Sequence, residues 1–184
     1  MAKYNDMTVG QSEACINRMG GWDNFLRFIG GQGKIVFDTI LTSLRTVRIA
    51  ALPAGTISKK YFEEAGVRFM GSNFENQFYG LEVPSVEETE LAVRKLKRDS
   101  LDVAILAELG DKADISMSQF RAFLAANYES REYFIFYIRK DGNFWAMHAR
   151  WHFGHRGWHV GTDSVESPEF PCRCPAGRWV VSRD

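Results

Sequence analysis

The change of hydrophobic period at Tyr133 constrains this chain more than any other feature. Residues 133 to 138 read Tyr-Phe-Ile-Phe-Tyr-Ile, apolar at every position, so a strand there must be covered on both faces. Asp141-Gly142 then supplies a hairpin turn signal. Phe144 to Phe153 alternates, Gly154 to Gly157 turns the chain, and Trp158 to Thr162 returns. After a loop rich in Pro, Ser and Glu, Trp179-Val-Val-Ser closes the sheet. A period of two sustained this far predicts an antiparallel β-meander over residues 131–184.

Residues 1–130 read differently, as mainly helical with one or two strands. Thr8 with Gln11, Ser72 with Glu75, Ser85 with Glu88, and Ser116 with Gln119 have capping-box spacing, in which two free backbone N–H groups are satisfied reciprocally. The spacing of Trp22, Phe25, Leu26 and Ile29 predicts a helix after Gly20-Gly21. A strand is expected from Thr46 to Leu52 and a helix from Ser58 to Ala65, stopped by Gly66. Val86 to Lys97 reads as a helix, with Glu90 and Arg94 in the favourable order four apart. Leu101 to Leu109 is apolar and ambiguous, and Met117 to Ala126 predicts a helix burying Phe120, Phe123 and Leu124. The expected fold class is α+β. A single domain of residues 1–184 would set short helices on one face of an antiparallel sheet of about four to six strands.

Basic and acidic residues both number 23, so the chain lacks the overall positive field with which non-specific nucleic-acid binders collect phosphates. That argues against a nucleic-acid partner. No apolar run reaches signal-peptide or membrane-span length, and the three cysteines, Cys15, Cys172 and Cys174, are too few for a disulfide scaffold. A soluble, cytoplasmic protein is expected.

The candidate site lies on the second hairpin. A connection at residues 154–157 places Phe153 opposite Trp158, His152 opposite His159 and His148 opposite Asp163. Trp145, Met147, Ala149, Trp151, Phe153, Trp158, Val160 and Thr162 then face the core. His148, Arg150, His152, His159 and Asp163 share the other, polar face, with Arg156 in the turn, and these six are the expected binding residues. All four histidines fall between 148 and 159, which raises a zinc alternative with His152, His159, Cys172 and Cys174 as ligands. His148 stands about 13 Å from His152 along a strand and does not join that set.

Other motifs fail in detail. Gly30-Gly-Gln-Gly-Lys34 resembles a phosphate loop, but the first glycine of that pattern would fall at Phe28 and Ile35 stands where Ser or Thr must ligate magnesium. Cys15 has no partner set by spacing and reads as a small buried residue. Exposed aromatics from Phe74 to Tyr79 are a further possible contact surface.

Three stretches carry a resemblance. They are Met7-Thr-Val-Gly-Gln with Gly20-Gly-Trp-Asp-Asn-Phe-Leu-Arg-Phe, then Phe69-Met-Gly-Ser-Asn-Phe-Glu-Asn-Gln-Phe-Tyr-Gly, and a closing run. That run comprises Phe136-Tyr-Ile-Arg, Trp145-Ala-Met-His-Ala-Arg-Trp, Gly157-Trp-His-Val and Gly177-Arg-Trp-Val-Val-Ser-Arg. Together the chain resembles a group of uncharacterised small cytoplasmic proteins from candidate-phyla bacteria. The resemblance implies a bacterial cytoplasmic origin and carries no catalytic or binding residue. In the hairpin it runs through tryptophans and glycines rather than histidines, as a structural signature does. The function expected is a non-catalytic binding or interaction domain for a protein or small molecule, without cofactor. The alternative is a hydrolase-type enzyme using the histidine–aspartate group, with or without zinc.

Overall fold

Seven strands make one mixed sheet, and its order explains why the hairpin ends up beside one edge strand. The computed structural model describes residues 13, 16–17, 21–31, 39–128, 130, 132–165 and 173–184. The chain divides into two compact units, residues 1–38 and 39–184. In the first, helix α1 spans Trp22–Ile29, as its spacing predicts, with the rings of Trp22 and Phe25 5.2 Å apart. The expected Thr8–Gln11 cap and Cys15 lie outside the described residues.

The second unit runs β1 (Leu41–Ile49), β2 (Gly55–Thr56), α2 (Lys59–Glu63), β3 (Val67–Met70), α3 (Ser72–Phe78), β4 (Glu82–Val83), β5 (Thr89–Leu96), β6 (Ser100–Leu101) and α4 (Asp102–Leu109). It continues through a 3-10 turn (Gly110–Lys112) to α5 (Met117–Ala126), β7 (Tyr133–Lys140), β8 (Asn143–His152), β9 (Gly157–Ser164), β10 (Arg173–Cys174) and β11 (Trp179–Arg183). The sheet order is β1-β5-β11-β7-β8-β9-β3. β7, β8 and β9 are successive antiparallel neighbours, whereas β11–β7 and β3–β9 are parallel pairs. The α+β class holds; the expected purely antiparallel sheet does not.

Local signals account for most elements. Ser58 Oγ accepts the Tyr61 N–H at 3.2 Å to start α2, and Gly66 takes the left-handed φ of +81° that ends this segment. Ser116 and Gln119 form the full capping box of α5, which buries Phe120, Phe123 and Leu124. Asp141 and Gly142, at φ +50° and +85°, make a two-residue turn that pairs Lys140 with Asn143.

The largest correction is residues 86–97. They form no helix: β5 lies between β1 and β11, and Leu91 and Val93 pack on one side while Ala92 and Leu96 are buried on the other. Burial on both faces erased the alternation by which a strand is read. Residues 39–128 accordingly contribute six strands, more than the one or two expected. At the other end, β11 inserts between β5 and β7 instead of extending a meander past β9. Val180, Val181 and Ser182 are all fully buried there.

Both faces of the sheet carry a core. On the first, α2, α3 and α5 pack with Leu91, Val93, Phe134, Phe136, Met147, Ala149, Trp158, Val160 and Val181. Phe74 and Phe78 belong to this core, so the aromatic surface expected from Phe74 to Tyr79 is not formed by them. On the second face, Ile105 and Leu109 of α4 pack over Ile135, Tyr137, Ala146, Val180 and Cys174. The second face of β8 and β9 beyond Ala146 carries the polar residues. No described helix is long and apolar enough to cross a membrane.

Candidate histidine site on the hairpin

The faces predicted for β8 and β9 are as expected, but the register is not. Trp151 pairs with Trp158, Arg150 with His159, His148 with Gly161 and Ala146 with Asp163. This is a shift of two residues, which keeps every side chain on its face. The four-residue turn is Phe153–Arg156, closed by the His155 N–H to the His152 carbonyl and the Arg156 N–H to the Phe153 carbonyl, each 3.2 Å. Arg156 supplies the left-handed residue at φ +49°. Phe153 therefore sits in the turn, 58% exposed, and not in the core.

Gly157 is spent differently. A Cβ there would lie 2.1 Å from Arg68 Cγ and 2.7 Å from the Gly66 carbonyl oxygen. Only glycine lets β3 close against this edge, which brings Phe69 beside His159 with ring centroids 5.2 Å apart.

Three imidazoles collect at this corner. His152 ends β8, His155 occupies the turn and His159 lies on β9. Their ring centroids are 4.3, 4.6 and 4.8 Å apart, and all three pairs are stacked. His155 Nδ1 is 2.7 Å from His159 Nε2, so one proton is shared between them. His152 Nδ1 accepts the His155 backbone N–H at 3.2 Å. One ligating atom from each ring lies within 4.8 Å of the others. A Cβ on Gly154 would lie 3.2 Å from His152 Cε1, so glycine there lets the turn fold onto that ring.

The sequence-predicted residues thus separate. His152 and His159 come together as a diagonal, not a direct, pair. His148 stands apart, its Nε2 3.4 Å from Asp163 Oδ2. Cys174 is buried in the second core, its Sγ 3.2 Å from Asp102 Oδ1, and does not join the histidines; Cys172 lies outside the described residues. The zinc set His152, His159, Cys172 and Cys174 is therefore not assembled. Missed by the sequence reading were His155, taken only as a turn residue, and Phe69 with Arg68, which arrive from a distant strand. The signal for His155 was its position between the other two histidines.

Burial foremost, then His152, His155 and Arg150, hold the His159 imidazole below its ordinary value of 6.5. The unfolded chain takes up this proton first. Stability is intact above 6.5 and declines as pH falls through 6.5 toward the folded value. Replacing His159 with Gln is expected to shrink the loss of unfolding free energy between about pH 7.5 and about pH 5.5. An unchanged pH slope would refute that. Asp163, held below its ordinary 3.8 chiefly by the His148 hydrogen bond, acts only in a lower window, where its stabilisation fades as pH falls.

The cations at this corner are available. Arg150 and Arg156 are exposed, and neither has an ion-pair partner among the described residues. A groove of about 550 Å³ at the other end of β7, floored by Ile115 and Ile138, contrasts with this. Its Arg139 is 3.5 Å from Asp114, its Lys140 2.9 Å from Asp141, and its Arg183 bonds the Asp111 carbonyl. Comparison of the chain with protein-family models, curated proteins and solved structures gives no match.

Proposed function

We propose that the protein is a non-catalytic binding domain of the bacterial cytoplasm, and that it takes an acidic protein or small molecule on the hairpin corner. The observation that carries this reading is the pairing of unengaged guanidinium groups, Arg150 and Arg156, with a cluster of imidazoles and the exposed Phe69. Arginine on a preorganised strand and turn offers a planar fork for carboxylate or phosphate. The rings beside it supply apolar area and further N–H donors. The hydrolase reading has less support. The carboxylate that would act with the histidines, Asp163, is paired with His148 and not with the cluster.

Fluorescence anisotropy with a labelled glutamate-rich peptide tests the proposal. Arg150→Ala with Arg156→Ala is expected to weaken binding about tenfold, each exposed charge being worth up to ~1 kcal/mol. Added salt should weaken the wild type in the same sense. Both side chains are exposed, so the melting temperature should stay nearly constant. A double variant that binds the peptide like the wild type would sink the reading.

A further inference from the structure

We infer that His152, His155 and His159 form a three-imidazole site for one divalent late-transition-metal ion, zinc foremost. The inference rests on the hairpin corner being the binding face and adds a ligand class to it.

Three features support it. The first is distance. Zinc–nitrogen bonds of ~2.0–2.1 Å at tetrahedral angles set ligand nitrogens about 3.3 Å apart. The nitrogens here span 2.7 Å for the closest pair to within 4.8 Å for the whole group, on either side of that value. His155 is exposed, so rotation about its side-chain bonds can change its distance to both other rings.

The second feature is the scaffold. All three ligands come from one eight-residue hairpin end whose turn is closed by two backbone hydrogen bonds. Gly154 lets the turn fold onto the His152 ring, and Gly157 lets β3 close against β9, so the ligands sit on a short, braced segment.

The third is chemistry. Neutral imidazole is the ligating form, and the cluster consists of three imidazoles with no described carboxylate among them. The proton shared by His155 Nδ1 and His159 Nε2 occupies the place a metal ion would take. His152 would give up the hydrogen bond it accepts from the His155 N–H, because a metal on its other nitrogen requires Nδ1 to carry the proton. Imidazole sets of this kind favour zinc, copper and nickel over magnesium or calcium.

Three protein ligands leave a coordination position toward solvent. Arg150 is the cross-strand partner of His159 and Arg156 follows His155 in the turn, so a carboxylate or phosphate oxygen is the fitting fourth ligand. The metal and the arginines would then hold the same acidic partner from two sides.

The test uses the full chain without an affinity tag, stripped with a chelator and titrated with zinc chloride in a calorimeter. Cobalt(II) as a spectroscopic replacement reports coordination geometry. One zinc per chain is expected, and His155→Gln and His159→Gln should each weaken it at least ~100-fold. Far-UV circular dichroism checks that both variants fold; both side chains lie on the hairpin surface. Absence of stoichiometric uptake by the wild type, or wild-type uptake by both variants, overturns the inference. The glutamate-rich peptide, measured in chelator, separates the two proposals. Peptide binding without zinc uptake removes only the metal site, and zinc uptake without peptide binding removes only the acidic-partner reading.

Discussion

Trp158→Ala is expected to destabilise the protein by about 3–5 kcal/mol, among the largest effects of any single substitution. The indole is fully buried and packs edge-on against Trp151 at 5.5 Å and Phe134 at 6.0 Å. Its Nε1–H donates to the Leu124 carbonyl at 3.0 Å, in the last turns of α5. It therefore joins β9 to the helix that covers it. Truncation leaves a cavity that two rigid aromatic neighbours cannot fill, and removes a buried hydrogen bond. Trp158→Phe keeps most of the bulk and loses the donor, so it should cost about 1–2 kcal/mol. Urea denaturation at constant m-value should rank wild type above Trp158→Phe, and Trp158→Ala last. A Trp158→Ala loss below about 1 kcal/mol would refute this account of the core.

That this tryptophan faces inward was legible, because period two around the turn fixes the face whatever the exact pairing. Its partner was not. The sequence placed Phe153 opposite Trp158, and the structure places Trp151 there. The difference comes from which residue adopts the left-handed conformation. Glycine is the default for that role, yet Arg156 adopts it, and Gly157 is retained for the close approach of β3. A tertiary requirement decided the turn, and it cannot be read from residues 150–160 alone.

The same reason governs the other misses. Strand β5 looked helical because Val86, Val93 and Leu96 share a helical face. Its neighbours β1 and β11 come from opposite ends of the described unit, and a core packs on each of its faces. Elements held by local chemistry, such as the Ser116 capping box and the Asp141-Gly142 turn, were legible to the residue. Those held by long-range pairing, such as β11 beside β7, were not. In the candidate site the division is alike. His152 and His159 share a face by alternation, which sequence supplies. His155 joins them through the turn's fold, and Phe69 through a parallel pairing with β9 that only the topology creates. The cysteines failed as partners for a comparable reason. Cys174 pairs through β10 with β6, under α4, and is committed to the second core.

Two glycines on the same face of β9 then give opposite expectations. Gly157→Ala places a Cβ within 2.7 Å of the Gly66 carbonyl oxygen and 2.1 Å of Arg68 Cγ. The arginine stem can swing aside, but the Gly66 carbonyl is backbone and also accepts the Trp158 N–H at 2.9 Å. β3 must move away from β9, with an expected cost of about 1–3 kcal/mol. Gly161→Ala meets nothing within 4 Å. It should be neutral or stabilise by up to ~1 kcal/mol, because glycine is a poor strand residue wherever its freedom is unused. The pair can be compared by denaturation and by peptide binding together. Because the histidine cluster leans on the β3–β9 edge through Phe69, Gly157→Ala should weaken binding as well as stability, and Gly161→Ala neither. Equal stability of the two variants would mean that β3 does not need glycine at 157. Binding preserved in a destabilised Gly157→Ala would mean that the imidazole cluster is held by its turn alone.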